Sequence, residues 1–126
     1  LDAAIRETRE EVGLDLDRHA ELLGELSEIR AVARGRPVGL VIRPHVFLLD
    51  GEPELVLNHE VDDVVWVPLA FFLEVRNRAS MRRRYSGVEL ELPCYHWRDK
   101  TIWGLTLRML DELLDRIRSG AGGGSP

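Results

Sequence analysis

Residues 6–14 of this chain read RETREEVGL. On a helix, positions three and four apart are neighbours, so Glu7, Glu10 and Glu11 lie together on one patch of surface. Gly13 is suited to the left-handed conformation just past a helix end. The stretch therefore predicts a short helix that ends at Gly13 and carries three mutually repelling carboxylates on one face.

The position of these carboxylates increases their repulsion. Glu10 and Glu11 fall in the last turn, where the helix dipole presents partial negative charge and favours a cation. Arg6 and Arg9 can offset part of the charge, but a hard divalent cation with oxygen ligands, Mg²⁺ or Mn²⁺, would offset more. The alternative is that this acidic face is only solvated surface, as most Glu-rich helix faces are.

The order of residues 6–14 is more specific than a general acidic helix. Arg-Glu-x-x-Glu-Glu-x-Gly-Leu resembles the second half of the Nudix box, the motif of the Nudix hydrolases, with Thr8 where an aliphatic residue is usual. The Gly and Glu of the first half would lie upstream of Leu1. We therefore interpret residues 1–119 as a Nudix hydrolase domain truncated at its N-terminus, and residues 120–126 as a flexible tail.

Composition limits the class of protein. The chain has 126 residues, of which 44% are hydrophobic and 31% are charged, and its formal net charge is -5. These values predict one compact soluble domain without a membrane span, and the acidic balance argues against a nucleic-acid binder. The chain has a single cysteine, Cys94, so it cannot form an internal disulfide, and this composition suits a reducing, cytoplasmic location. We expect Cys94 to be a small buried hydrophobic residue.

Hydrophobic patterning predicts an α+β protein, because strands and helices follow one another without a repeating strand-helix rhythm. The predicted elements after the first helix are a loop over 14–19, a strand region over 22–32, a turn over 34–37, a buried strand over 38–49, a strand over 61–67, a short helix over 69–75, a late hairpin over 88–103, and a last helix that ends at Gly120. The resemblance implies the Nudix fold, a mixed β-sheet sandwiched between α-helices.

Three downstream segments resemble the coenzyme A pyrophosphatase subgroup of the Nudix hydrolases. They are RPHV at 43–46, NHEVDDVVWVPL at 58–69, and IWGLT at 102–106, at the start of the last helix. The second is widespread in the family, whereas the third discriminates better between substrates. A purely structural role remains open for it, with Trp103 in the core, Gly104 at a close helix contact and Thr106 as a helix-start hydroxyl.

The resemblance implies metal-dependent hydrolysis of the diphosphate bond in a small-molecule nucleoside diphosphate derivative, coenzyme A in the first place, giving phosphopantetheine and adenosine 3',5'-bisphosphate. The alternatives are another Nudix substrate, such as ADP-ribose or a dinucleotide, and a non-catalytic Nudix-like binding domain. The implied cofactor is Mg²⁺ or Mn²⁺. Many relatives dimerise, so a homodimer is also left open.

The same resemblance implies roles for individual residues. It places the metal on Glu7, Glu10 and Glu11, with Arg6 and Gly13 supporting the site. Glu10 and Glu60 are the candidate catalytic residues. Glu60 is chosen as a more distant acid in a loop just before a strand, where a solvated surface residue is the alternative.

Two other sets of residues carry side chains that could serve a site. The basic cluster could bind substrate phosphates, although a solvated loop and edge strand is the favoured interpretation; it consists of Arg76, Arg78, Arg82, Arg83 and Arg84. The four histidines show no metal-ligand spacing and are assigned to no site; they are His19, His45, His59 and His96.

Overall fold

The computed structural model describes residues 1–33 and 36–122, and of residues 31–33, 36–38 and 121–122 it describes the backbone alone. The chain divides into two compact units, residues 1–65 and 66–126. The elements in chain order are α1 (Asp2–Val12), α2 (Leu16–His19), β1 (Ala20–Glu25), β2 (Ile29–Ala33), β3 (Arg36–Ile42), β4 (His45–Leu49), α3 (Leu69–Leu73), a 3-10 turn (Val75–Asn77), β5 (Arg78–Tyr85), β6 (Val88–Trp97), β7 (Lys100–Ile102) and α4 (Gly104–Gly122). Within the described ranges, no helix is both long and apolar enough to cross a membrane.

Helix α1 ends where its sequence predicts. Gly13 follows the last helical residue, adopts φ 71° and ψ 19°, and donates its backbone N–H to the Arg9 carbonyl at 2.9 Å. Only glycine takes this left-handed conformation without strain. The prediction of a short helix that stops at Gly13 is therefore confirmed.

The predicted loop over 14–19 is wrong, because it contains the one-turn helix α2. Asp15 caps this helix, since its carboxylate accepts the backbone N–H of Asp17 at 3.2 Å. Leu16 is buried beneath the turn. Aspartate favours turns and helix N-caps through the same side-chain hydrogen bond, so the sequence pattern did not separate the two.

The strands of the first unit form two antiparallel pairs, β1 with β4 and β2 with β3. The predicted strand region over 22–32 is thus two strands. They separate at Leu26, whose N–H donates to the Pro44 carbonyl at 3.0 Å. Of the predicted turn over 34–37, residues 34 and 35 lie outside the described residues, and the other two belong to β3.

The buried strand predicted over 38–49 is wrong, because the range is divided between β3 and β4 and none of residues 39–49 is fully buried. Leu40 and Leu48 are 58% and 57% exposed. Each belongs to a two-stranded pair, and such a pair covers its own faces poorly. Apolar composition alone predicted burial, whereas burial depends on what packs against the strand.

Residues 50–68 contain neither helix nor strand, so the strand predicted over 61–67 is absent from this described segment. Local side-chain bonds replace it. The Asn58 side chain accepts the Glu60 N–H at 2.9 Å, and the Asp63 carboxylate accepts the Val64 N–H at 2.8 Å. These bonds use backbone donors that a strand ladder would need.

The core of the second unit lies between α3, α4 and the sheet β5-β6-β7. Phe72, Tyr95, Leu107 and Leu114 are buried together. The Phe72 and Tyr95 rings meet edge to face with centroids 5.0 Å apart, and the Tyr95 hydroxyl donates to the Phe72 carbonyl at 3.4 Å. The Tyr95 side chain is therefore held at its ring by packing and at its hydroxyl by a hydrogen bond.

The predictions for the second unit are mostly confirmed. Helix α3 and the 3-10 turn cover the predicted short helix, and β6 and β7 form the late hairpin. Helix α4 continues past the predicted end at Gly120 to Gly122, and residues 123–126 of the predicted tail lie outside the described residues. The lone cysteine, Cys94, is fully buried in β6, as expected.

The α+β class is confirmed, with one difference from the implied sheet. Every strand pairing within residues 1–33 and 36–122 is antiparallel, whereas the resemblance implied a mixed sheet. Short connections explain part of this result, because a parallel pair needs a crossover of about a dozen residues or more.

Replacement of Leu114 by alanine should lower the free energy of unfolding by about 3 kcal/mol, because Leu114 is fully buried and the change leaves a cavity. Urea denaturation followed by circular dichroism measures the effect. Leu105→Ala on the same helix, at a position 42% exposed, is the matched control and should cost less than about 1 kcal/mol. Equal losses would contradict the assignment of Leu114 to the core.

Replacement of Gly13 by alanine should lower the free energy of unfolding by about 2 kcal/mol or more, through the positive φ and through contact with Val56. A Cβ at Gly13 would lie 3.2 Å from backbone and side-chain atoms of Val56. Gly51→Ala is the control, because Gly51 has φ 75° and open space around it. Thermal unfolding of both variants should show the larger loss at Gly13, and equal losses would exclude a role for the close approach.

Candidate active site

The acidic face predicted on α1 is present. The side chains of Glu7 and Glu10 are 60% and 61% exposed, and Arg6 lies between them. The Arg6 guanidinium is 3.9 Å from a carboxylate oxygen of each. Pairs of this length between exposed side chains offset little charge.

Arg9 is not available to the acidic face. Its guanidinium donates to the Asp15 carboxylate at 3.0 Å, beyond the end of the helix. This contact is a charge-assisted hydrogen bond, and it lowers the pKa of the Asp15 carboxyl. Of the two arginines expected to balance the glutamates, only Arg6 lies beside them.

The last turn of α1 is bound by a loop from residues 56–61. The Val56 N–H donates to the Val12 carbonyl at 2.9 Å, and the Asn58 N–H donates to the Glu11 carbonyl at 2.8 Å. Both carbonyls are at the helix end, where they have no partner within the helix. The loop therefore completes the helix end, and glycine at position 13 permits its close approach.

This docking brings Glu60 to Glu11. The side chain of Asn58 accepts the Glu60 N–H, and the Asn58 carbonyl accepts the Val61 N–H at 3.2 Å, so the loop turns at this point. The carboxyl group of Glu60 lies beside that of Glu11, close enough to raise the pKa of Glu11. Glu60, predicted from its place in a loop, thus lies beside one of the three predicted metal ligands.

The contact between two carboxyl groups changes the titration of Glu11. Its pKa is raised, first by the hydrogen bond to Glu60, then by partial burial, and then by the negative charges of Glu60, Glu7 and Glu10. A hydrogen bond between two carboxyl groups requires a proton on one of them. Ionisation of Glu11 adds a negative charge beside those of Glu60, Glu7 and Glu10, so a cation bound at this corner would favour the ionised form.

The donors at this corner are suited to a hard divalent cation, because carboxylate oxygens are the ligands that Mg²⁺ and Mn²⁺ prefer. Within residues 1–33 and 36–122, however, no group of three or more His, Cys, Asp or Glu side chains is arranged to hold a metal ion. Glu7 and Glu10 extend into solvent, so their rotamers are not fixed by packing. The structure brings together Glu11 and Glu60, and leaves Glu7 and Glu10 exposed on the same helix.

Sequence patterns did not predict the roles of Val56 and Asn58. The amides of Val56 and Asn58 hold the loop, and backbone donors leave no signal in a sequence pattern. The His59 side chain is 89% exposed, with its Nε2 4.0 Å from a Glu60 oxygen. Asn58 alone carried a signal, since asparagine two residues before an acid is typical of a side-chain-capped turn.

Much of the basic cluster is paired with acidic side chains. Arg78 binds both oxygens of Asp111 at 2.8 and 3.0 Å, Arg76 lies 3.5 Å from Glu74, and Arg82 lies 3.8 Å from Glu89. Strand β5 is at the edge of its sheet. These contacts support the favoured interpretation, an edge strand with solvated charges.

Two residues of the IWGLT segment differ from their expected structural roles. Trp103 is only half-buried, with the Arg83 guanidinium 4.3 Å from its ring centroid. Gly104 has φ 66°, and a Cβ added there would meet no atom within 4 Å. The expected close helix contact at Gly104 is therefore wrong, and the positive φ is the reason for glycine.

Comparison with known proteins agrees with the motif in α1. A family model described as the NUDIX domain matches residues 1–86, more than half of the chain. The peroxisomal coenzyme A diphosphatase ndx-8 of Caenorhabditis elegans is 42% identical over 72 residues, which are 56% of this chain and 29% of that protein. The chain thus spans less than a third of that relative's length. The resemblance first seen in residues 6–14 is confirmed, and the chain belongs to the Nudix family.

Proposed function

We propose that this protein is a metal-dependent Nudix pyrophosphatase whose substrate is coenzyme A. The observation that carries the proposal is the contact between Glu11 and Glu60 at the loop-bound end of α1, beside Glu7 and Glu10. Support for the substrate comes from the similarity to a coenzyme A diphosphatase and from the IWGLT segment. The homodimer stays a prediction. The cytoplasmic location also stays a prediction, and the matched relative is named as a peroxisomal protein.

The reaction is hydrolysis of a phosphoanhydride bond. Glu7, Glu10 and Glu11 would hold Mg²⁺ or Mn²⁺, which would supply charge neutralisation on the diphosphate and a lowered pKa of a bound water. Water adds to one phosphorus atom, the bridging P–O bond breaks, and the leaving phosphate takes the electron pair. One proton of the water passes to a carboxylate of the site.

Glu60 is suited to accept that proton. It stands on a different segment from the metal ligands, and the turn at Asn58 holds its backbone. Its side chain remains 58% exposed, so water can reach it. Arg6, which lies 3.9 Å from both Glu7 and Glu10, would orient these two side chains toward a shared cation.

Mass spectrometry of the products formed by the full-length protein from coenzyme A and Mg²⁺ or Mn²⁺ tests this proposal. Phosphopantetheine and adenosine 3',5'-bisphosphate should form, and Glu10→Gln and Glu60→Gln should each lower kcat by about 100-fold or more. Glu21→Gln, an exposed change on β1, is the control and should leave kcat unchanged.

Each other outcome has a definite meaning. Turnover of ADP-ribose but not of coenzyme A would overturn the substrate and keep the reaction. Full activity in Glu10→Gln would exclude that residue as a ligand. Absence of turnover with either substrate, in a folded protein that binds Mn²⁺, would favour the non-catalytic binding domain.

Charge repulsion among the carboxylates of the site also predicts that metal binding raises the stability of the folded protein. Because its pKa is raised, Glu11 binds its proton more tightly in the folded state, so stability should fall as pH rises from the ordinary value of 4.5 through the raised pKa. In metal-free protein at about pH 7, Glu11→Gln should therefore raise Tm, since it removes one of the repelling charges.

Differential scanning fluorimetry with and without Mg²⁺ measures this effect. Mg²⁺ should raise the Tm of the unmodified protein more than that of Glu11→Gln, because binding to the folded state adds stability by mass action. Glu21→Gln should behave as the unmodified protein does. A Glu11→Gln variant that is less stable than the unmodified protein at neutral pH would contradict the repulsion.

A further inference from the structure

The second unit contains an apolar cleft that none of the candidate carboxylates lines. Leu92 and Pro93 of β6 and Leu107 of α4 form its walls, and the rings of Tyr85 and Trp103 flank it. Its volume is about 410 Å³. Small-molecule sites are clefts of about 300–1,000 Å³ with mostly apolar walls and a few polar groups, so the cleft has the size and the lining of such a site.

A cation lies beside the cleft: Arg83 is not one of the lining residues, but its guanidinium is held against the two rings that flank the cleft. The Arg83 guanidinium lies 4.3 Å from the centroid of the Trp103 ring and 6.0 Å from that of Tyr85. Among the described residues, no carboxylate pairs with Arg83. Cation–π contact orients the guanidinium without neutralising its charge, and its N–H donors remain available to an anion.

A second cation lies at the cleft. Arg108 is exposed on α4, lines the cleft, and has no acidic partner within the part of the chain that the structure describes. The acidic lining residue, Asp111, is bound through both of its oxygens by Arg78 at 2.8 and 3.0 Å. The unmatched charges at the cleft are therefore both positive.

We infer that this cleft binds a small amphipathic anion: a compact aromatic or branched aliphatic body that carries a carboxylate, sulfonate or phosphate. The body would displace water from Leu92, Pro93 and Leu107, which is favourable in proportion to the apolar area buried. The anion would accept hydrogen bonds from Arg83 and Arg108. This inference does not rest on the proposed hydrolysis, because all of its residues lie in the second unit.

Two fluorescent probes with nearly the same aromatic body test the role of charge. They are 8-anilino-1-naphthalenesulfonate, which is an anion, and N-phenyl-1-naphthylamine, which is neutral. The anion should bind saturably at one site per chain. Arg83→Met and Arg108→Gln should each weaken its affinity by roughly tenfold, the loss expected for a hydrogen bond to a charged group, and should leave the affinity of the neutral probe unchanged.

Arg98→Met is the matched control. Arg98 also lies over a tryptophan, with its guanidinium 5.3 Å from the Trp97 ring centroid, but Trp97 does not line the cleft as Trp103 does. This variant should bind both probes as the unmodified protein does. Equal weakening by Arg98→Met, or no weakening by Arg83→Met and Arg108→Gln, would overturn the inference.

The position of the bound probe is measured from the indole N–H signals of the three tryptophans in nitrogen-15 spectra, assigned with Trp103→Phe. The signal of Trp103 should shift with the anion and saturate at the same concentration as the fluorescence. Light scattering on the same sample gives the number of copies in the particle, and either a monomer or a dimer in which the Trp103 signal still shifts would agree with an open cleft. A dimer that keeps Trp103 unshifted would overturn the inference in favour of a second copy covering the cleft.

Discussion

The candidate site depends on two backbone hydrogen bonds that join the loop over 56–61 to the last turn of α1. The amides of Val56 and Asn58 satisfy the Val12 and Glu11 carbonyls, which the helix itself leaves without partners. Without them, Glu60 would have no fixed position relative to Glu11. Glycine at position 13 allows the approach, since a Cβ there would lie 3.2 Å from Val56. The family motif thus serves two purposes, because its glycine ends the helix and admits the loop.

The charges at this site are kept unbalanced by the surrounding structure. Arg9 is bound to Asp15, and Arg6 approaches its two neighbours only to 3.9 Å. The carboxyl groups of Glu11 and Glu60 lie side by side, and the negative charges around Glu11 help to raise its pKa. A protein selected for stability alone would lose one of these acids, so their retention side by side supports a role in binding a cation.

The sequence correctly predicted those elements that are determined by short-range interactions along the chain. The helix stop at Gly13, the hairpin of β6 and β7 and the periodicity of α4 were all predictable, because each depends on residues near one another in the chain. The strand predicted over 61–67 failed, since side-chain bonds at Asn58 and Asp63 take up backbone donors. The burial predicted over 38–49 failed because it depends on distant packing. For the site, residue types were predictable, whereas the backbone bonds that join Glu60 to α1 were not.

The reactivity of the Cys94 thiol can be used to measure how often the second unit opens. Cys94 is the one thiol in the sequence, it is fully buried in β6, and its Sγ lies 3.6 Å from Nε2 of His96. A thiol reagent in solution reaches a buried sulfur only when the strand separates from its surroundings. The rate of alkylation therefore follows the opening of the sheet, without any engineered label and without a signal from the acidic helix.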